Sequence, residues 1–142
     1  MRYHFQVHRE KAGYWAACIE LKGCVTQADT RAELDANMRE ALALYLDEPE
    51  SSRLVEPLPK RGLSGRNVVA VSVEPRVAFA FLLRRIRLAN KLSQTKAAEK
   101  IGIRGLYGYQ RLESARTANP ELETLAKIKK AFPEFNLNEV FG

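Results

Sequence analysis

Tyr3, Phe5 and Val7 alternate with Arg2, His4, Gln6 and His8 at the start of the chain. A period of two marks a strand with one face buried. Glu10-Lys11-Ala12-Gly13 reads as a turn, and Tyr14 to Ile19, aromatic and apolar, as the returning arm of a hairpin. Lys22-Gly23 punctuates before a short third strand, Cys24-Val25-Thr26. The period then changes. Thr30-Arg31-Ala32-Glu33 fits a capping box, and Leu34, Met38, Ala41, Leu42 and Tyr45 fall at helical spacing behind it. This helix is expected to stop before Pro49, because the residue before a proline disfavours the helical region. Residues 49–66 hold three prolines, two glycines and three serines and predict a mobile loop. Val68 to Val73 is rich in β-branched residues and predicts a fourth strand.

The second half is helical throughout. Pro75 can open a helix, and Val77 to Leu83 is apolar on all sides, so that stretch must be covered. A share in a dimer interface is expected for Phe79 or Phe81, with core packing inside one chain as the alternative. In Leu92 to Ile103, Ser93 is a good N-cap and Gly102 supplies the left-handed conformation that ends a helix. Ala98, small and four residues before Gly102, lets a second helix cross closely. Two helices joined steeply by a tight turn make a helix-turn-helix. Leu106, Tyr109 and Leu112 form the buried face of the next helix, which starts near Leu106 because Gly105 and Gly108 weaken it. Asn119-Pro120 opens another helix with Leu122, Leu125, Ile128 and Phe132 as its stripe, and a short helix over Leu137 to Phe141 closes the bundle.

Composition narrows the classes of function. With 142 residues the chain makes one compact domain or two very small ones. Its longest apolar run is far short of the roughly 20 residues of a membrane span. The first residues carry no apolar signal segment, so a cytoplasmic protein is expected. Two cysteines and two histidines lack zinc spacing, so neither metal nor cofactor is expected, and Cys18 and Cys24 read as small buried residues. Charge is uneven. Residues 1–75 carry ten Lys/Arg against eleven Asp/Glu, whereas 76–142 carry thirteen against six, so the net +6 sits in the second half. That half suits a polyanion, most simply nucleic acid.

Catalysis is the weaker reading. Metal-dependent nuclease chemistry needs several converging carboxylates, and the strands offer only Glu20 and Glu74. Asp29, Glu33 and Asp35 gather at a helix start, where the helix dipole accounts for acids. His4 and His8 share a strand face about 13 Å apart, too far for one metal. No histidine is placed beside Cys18 or Cys24, so no catalytic residue is assigned.

Gly13-Tyr14-Trp15-Ala16-Ala17, Leu21-Lys22-Gly23-Cys24-Val25-Thr26-Gln27 and Thr30-Arg31-Ala32-Glu33-Leu34, in the order strand-strand-strand-helix-strand, resemble the N-terminal domain of HicB antitoxins over about residues 2–74. Lys22 stands where that family usually has proline. Leu92-Ser93-Gln94, Ala97-Ala98, Ile101-Gly102-Ile103, Leu112-Glu113, Asn119-Pro120 and Leu122-Glu123-Thr124-Leu125 resemble a Cro/repressor-type helix-turn-helix domain over about residues 80–141, one residue longer than usual between Gly102 and Glu113. The resemblances imply an α+β chain. A partial RNase H-like domain over 1–75, a small sheet plus a helix without activity of its own, is joined to an all-α helix-turn-helix bundle over 76–142.

The joint resemblance implies an antitoxin that sterically blocks a HicA-type mRNA-cleaving toxin and represses its own operon. Its partners would be that toxin, operator DNA and a second copy of the chain, or a higher oligomer; a membrane is not among them. In such domains one helix start meets a phosphate and the next helix lies in the major groove. Gln94 then suits a phosphate, and Arg104, Tyr107, Gln110 and Arg111 lie off the apolar face, where Arg can read guanine and Gln adenine. Lys96 and Arg116 suit backbone anchoring. Tyr14, Trp15, Glu20, Asp29, Glu33 and other residues of the Thr30–Asp47 helix are the candidate toxin contacts, with core packing as the alternative for Trp15. Two other readings stay open: a stand-alone regulator whose first domain senses a small ligand, and an RNase H-like nuclease.

Overall fold

The computed structural model describes every residue except Glu50, so that position of the expected 49–66 loop lies outside the described residues. Among the described residues the chain is α+β, with one four-stranded antiparallel sheet and six helices. It divides into two units. The first comprises Met1–Leu46 and Glu56–Glu74, with Gly142; the second comprises Asp47–Val55 and Pro75–Phe141.

In the first unit, β1 (Arg2–Glu10), β2 (Gly13–Cys18), β3 (Val25–Ala28) and β4 (Val68–Ser72) stand in the order β3-β2-β1-β4. The hairpin register pairs Phe5 with Cys18, Val7 with Ala16 and His8 with Trp15, while Tyr3 pairs with Val71 on β4. Tyr3, Phe5, Val7, Ala16, Cys18 and Val71 therefore share one face, and all are buried. Helix α1 (Arg31–Leu46) packs on the sheet and buries Leu34, Met38, Leu42 and Leu46. The Glu33 backbone N–H donates to Thr30 Oγ1 at 3.2 Å, one arm of the expected capping box. Ala41 and Tyr45, expected in the stripe, are only half-buried, and Tyr45 Oη donates to the Lys22 carbonyl. Among the described residues, the chain after Leu46 has no helix or strand before β4, yet it is tied down. Tyr3 Oη donates to the Pro57 carbonyl at 2.8 Å and Gln6 Nε2 to the Arg66 carbonyl at 2.9 Å.

The second unit holds α2 (Pro75–Ala89), α3 (Gln94–Ile101), α4 (Leu106–Glu113), α5 (Leu122–Ala131) and α6 (Asn138–Phe141). Ser93 caps α3 by accepting from the Lys96 N–H. Gly102 closes it at φ 88°, with its N–H on the Glu99 and Ala98 carbonyls and the Ile103 N–H on Ala98. This is the hydrogen-bond pattern of a left-handed helix end that glycine adopts without a Cβ clash. Helix α4 starts at Leu106, as its glycines predict, and Gly108 admits Ile103: a Cβ there would lie 3.3 Å from the Ile103 methyl. Ala97, Ala98, Ile101, Tyr109, Ile128, Phe132, Phe135 and Val140 are buried along these helices. Two expectations change. Pro120 precedes α5 rather than opening it, and Leu122 points to solvent with 81% exposure.

Phe79 and Phe81 are 3% and 7% exposed within the single chain, and the Phe79 ring meets Phe135 edge to face. They offer no surface to a second copy. The apolar run of α2 is satisfied by core packing, which corrects the expected dimer contact. None of the helices is long and apolar enough to cross a membrane, among the described residues.

Candidate functional site

Two surfaces carry most of the residues singled out from the sequence, one on each unit. On the first unit, an open groove of about 1000 Å³ runs along β2, β3 and the start of α1. Tyr14, Trp15, Asp29 and Glu33 all line it. Trp15 is half-buried rather than core, and its ring stacks on His8 at 3.9 Å between centroids. The register explains this: His8 and Trp15 face one another on the side of the sheet away from Phe5 and Val7. Gly13 lets β2 and the end of β3 approach closely in the groove. Its φ is 137°, and a Cβ there would lie 2.6 Å from the Ala28 carbonyl oxygen.

Residues that the sequence reading missed complete the groove. Glu10, at the end of β1, adds a third carboxylate to those of Asp29 and Glu33. Asn37, one turn after Glu33 on α1, donates to the Gln27 carbonyl at 2.9 Å and ties helix to strand. Its i+4 spacing from Glu33 was the available signal. Among the described residues no Lys or Arg lines the groove, so the charged side chains that line it are all acidic.

Glu20 is not part of this groove. Its side chain is 1% exposed, which withdraws it from the expected toxin contacts. Instead it accepts from the His4 backbone N–H at 2.9 Å, pairs with His4 Nδ1 at 2.6 Å, and accepts from the Lys60 N–H at 3.3 Å and Cys18 Sγ at 3.6 Å. Burial pushes the carboxyl pKa up, but the donors of His4 and Lys60 outweigh it and hold the group below its ordinary value. Cys18 and Cys24 are both buried and free. The hydrogen bond between their side chains, together with burial, raises the Cys18 thiol; the same bond lowers Cys24 against the opposing effect of burial. Among the described residues no group of three or more His, Cys, Asp or Glu is placed to hold a metal.

On the second unit, α3 and α4 bring most of the sequence-selected polar residues together. Gln94 begins α3, and Gln110 Nε2 donates to Gln94 Oε1 at 3.2 Å, linking the two helices. Tyr107 is 69% exposed, with Arg111 over its ring at 5.7 Å and Arg111 Nη1 donating to its hydroxyl at 3.3 Å. Arg104 is exposed in the turn before α4. Lys96 is exposed but pairs with Glu99 at 3.3 Å. Arg116 is exposed beyond α4, and its carbonyl accepts from Arg76. Under this surface Arg87 of α2 forks onto Glu113 of α4, with both side chains buried and contacts of 2.6–3.2 Å. Burial lowers the Arg87 pKa, but Glu113 raises it further, so the guanidinium stays charged. Sequence reading missed this pair, because Arg87 and Glu113 lie 26 residues apart on different helices.

The chain is 35% identical over 74 residues to a UPF0150 protein of Helicobacter pylori (strain J99 / ATCC 700824), a match covering 52% of this chain and 92% of that protein. This chain belongs to the UPF0150 family. A UPF0150 protein of Synechocystis sp. is 39% identical over 64 residues, covering 43% of this chain and 78% of its own. No family model matches the chain. Both UPF0150 relatives thus account for about half of this chain and for most of themselves.

Proposed function

We propose that this protein is an antitoxin. Its first unit binds and occludes a HicA-type mRNA-cleaving toxin, and its second unit binds operator DNA to repress the operon. The observation that carries the first part is the gathering of Tyr14, Trp15, Asp29 and Glu33 in one acidic groove. Membership of UPF0150, a family that includes HicB-like antitoxins, supports it. An acidic, aromatic-floored groove suits a basic RNA-binding surface, and charge matching raises the association rate. A half-buried tryptophan at its floor has the character of an interface anchor. No chemistry by this chain is needed for inhibition by occlusion.

The second part is supported by α3 and α4, read as a helix-turn-helix. Gln94 stands at a helix start, where backbone N–H groups and the dipole favour a phosphate. Arg104, Tyr107 and Arg111 are exposed along the second helix and its approach, where they can meet base edges and backbone. One eight-residue helix spans only a half-site, so repression requires two copies on the operator. The surface joining them is other than Phe79 and Phe81.

The deciding experiment co-expresses the chain with the small reading frame beside its gene. The neighbour alone is expected to stop growth and this chain to restore it. Reversing the groove charge with D29K and E33K together is expected to abolish rescue and lower the association rate at least about tenfold, while the protein keeps its fold by circular dichroism. A harmless neighbour that does not bind, or full rescue by the reversed variant, overturns the reading.

A further inference from the structure

The segment Asp47–Val55 precedes β4 in sequence but belongs to the helical unit. Its attachment is specific. Arg84 of α2, 7% exposed, donates from Nη2 to the Ser52 carbonyl at 3.2 Å and to the Leu54 carbonyl at 3.1 Å. These two bonds flank Arg53 and hold its backbone in place while the residue itself stays exposed. The segment forms one wall of a groove of about 690 Å³ whose other walls are the end of α2, the start of α3 and Leu106 of α4. Lys91, Ser93, Gln94 and Thr95 line it beside Arg53. Among the described residues no carboxylate lines this groove, and neither Arg53 nor Lys91 has an ion-pair partner.

We propose that Arg53 is a DNA-backbone contact, delivered to the α3–α4 surface by a strap from the other half of the sequence. The inference rests on the DNA-binding reading of the second unit. The occupant is one phosphate of duplex DNA, chosen by charge. The groove presents two unpaired cations, four hydroxyl side chains (Ser51, Ser52, Ser93 and Thr95) and the amide of Gln94, all donors that a phosphate oxygen accepts from. Among the described residues, the acids in and beside the strap, Asp47, Glu48 and Glu56, do not line the groove. A cation held by its backbone on a pinned strap loses less freedom on binding than one at the end of a free arm. Arg53 contributes affinity without sequence preference, since phosphates carry no base information.

The test measures binding of the full chain to a duplex carrying the region upstream of its own gene and to an unrelated duplex of equal length, over a series of salt concentrations. Arg53→Ala is expected to weaken both complexes about fivefold near 0.15 M salt and to make the salt slope shallower by about 0.9. Arg53→Lys restores the slope, and Arg53→Glu weakens binding further than Ala. Growth rescue against the neighbouring frame stays at the wild-type level in all three. If the wild-type chain binds and Arg111→Ala weakens it, but Arg53→Ala leaves affinity and slope unchanged, the strap contact is wrong while the DNA-binding reading survives. If the wild-type chain binds neither duplex, the DNA-binding reading fails and takes this inference with it.

Discussion

Glu20 shows how far a residue's role depends on its surroundings. In sequence it is an acid near a strand end, expected as a surface contact for a partner. Folded, it is a buried acceptor for His4, Lys60 and Cys18. Its pKa is lowered from 4.5 in the folded state, so the folded carboxyl holds its proton less tightly than the unfolded one. The stability this contributes is fully present above pH 4.5 and is lost as pH falls through the lowered value. Glu20→Gln is expected to cost about 2 kcal/mol at pH 7, read by urea denaturation, with the gap to wild type closing below pH 4.5. A constant gap down to pH 3 would show that the carboxylate charge contributes nothing. Trp15 makes the same point from the other side. A hairpin tryptophan could have been core, yet the two-residue period of β1 and β2 sets it opposite His8, away from the apolar face.

At the scale of elements, helix α3 was the most legible part of the chain. Ser93 and Gly102 bracket it through local backbone chemistry, and both act as the sequence predicts. Ser93→Ala is expected to destabilise the second unit by about 1 kcal/mol, seen as a lower thermal midpoint with an unchanged far-ultraviolet spectrum. No shift would mean that solvent satisfies the Lys96 N–H equally well. Helix α5 was less legible. Leu122, Leu125, Ile128 and Phe132 share helical spacing, but only Ile128 and Phe132 are buried. Periodicity identifies a face, and how much of it is covered depends on what packs there. The reverse holds in α2, where the whole apolar run finds cover inside the chain, so Phe79 and Phe81 need no second copy.

At the scale of the molecule, the division into units does not follow the chain. The change of charge and the proline at 75 suggest a cut there, but residues 47–55 lie with the helices and 56–74 with the sheet. A fragment of residues 75–142 therefore leaves Arg84 without the carbonyls of Ser52 and Leu54. It is expected to melt about 5–10 °C below the same transition in the full chain, the shift that a loss of one to two kcal/mol produces in a small domain. Calorimetry of both proteins checks this. An unchanged transition would mean that the strap adds no stability to the helices.

Local rules in the sequence determined the order of strands and helices, the apolar face of β1, the cap and close of α3 and the late start of α4. Each depends on residues a few positions apart, and backbone geometry and side-chain period decide the outcome within that range. The acidic groove was half legible. Tyr14, Trp15, Asp29 and Glu33 were singled out, while Glu10, and Asn37 bridging to Gln27, joined them only when three strands and a helix met. The burial of Glu20, the Arg87–Glu113 pair and the strap on Arg84 were decided by tertiary structure alone. Each joins groups 16 or more residues apart, and no period in the sequence encodes which distant donor a buried charge will find.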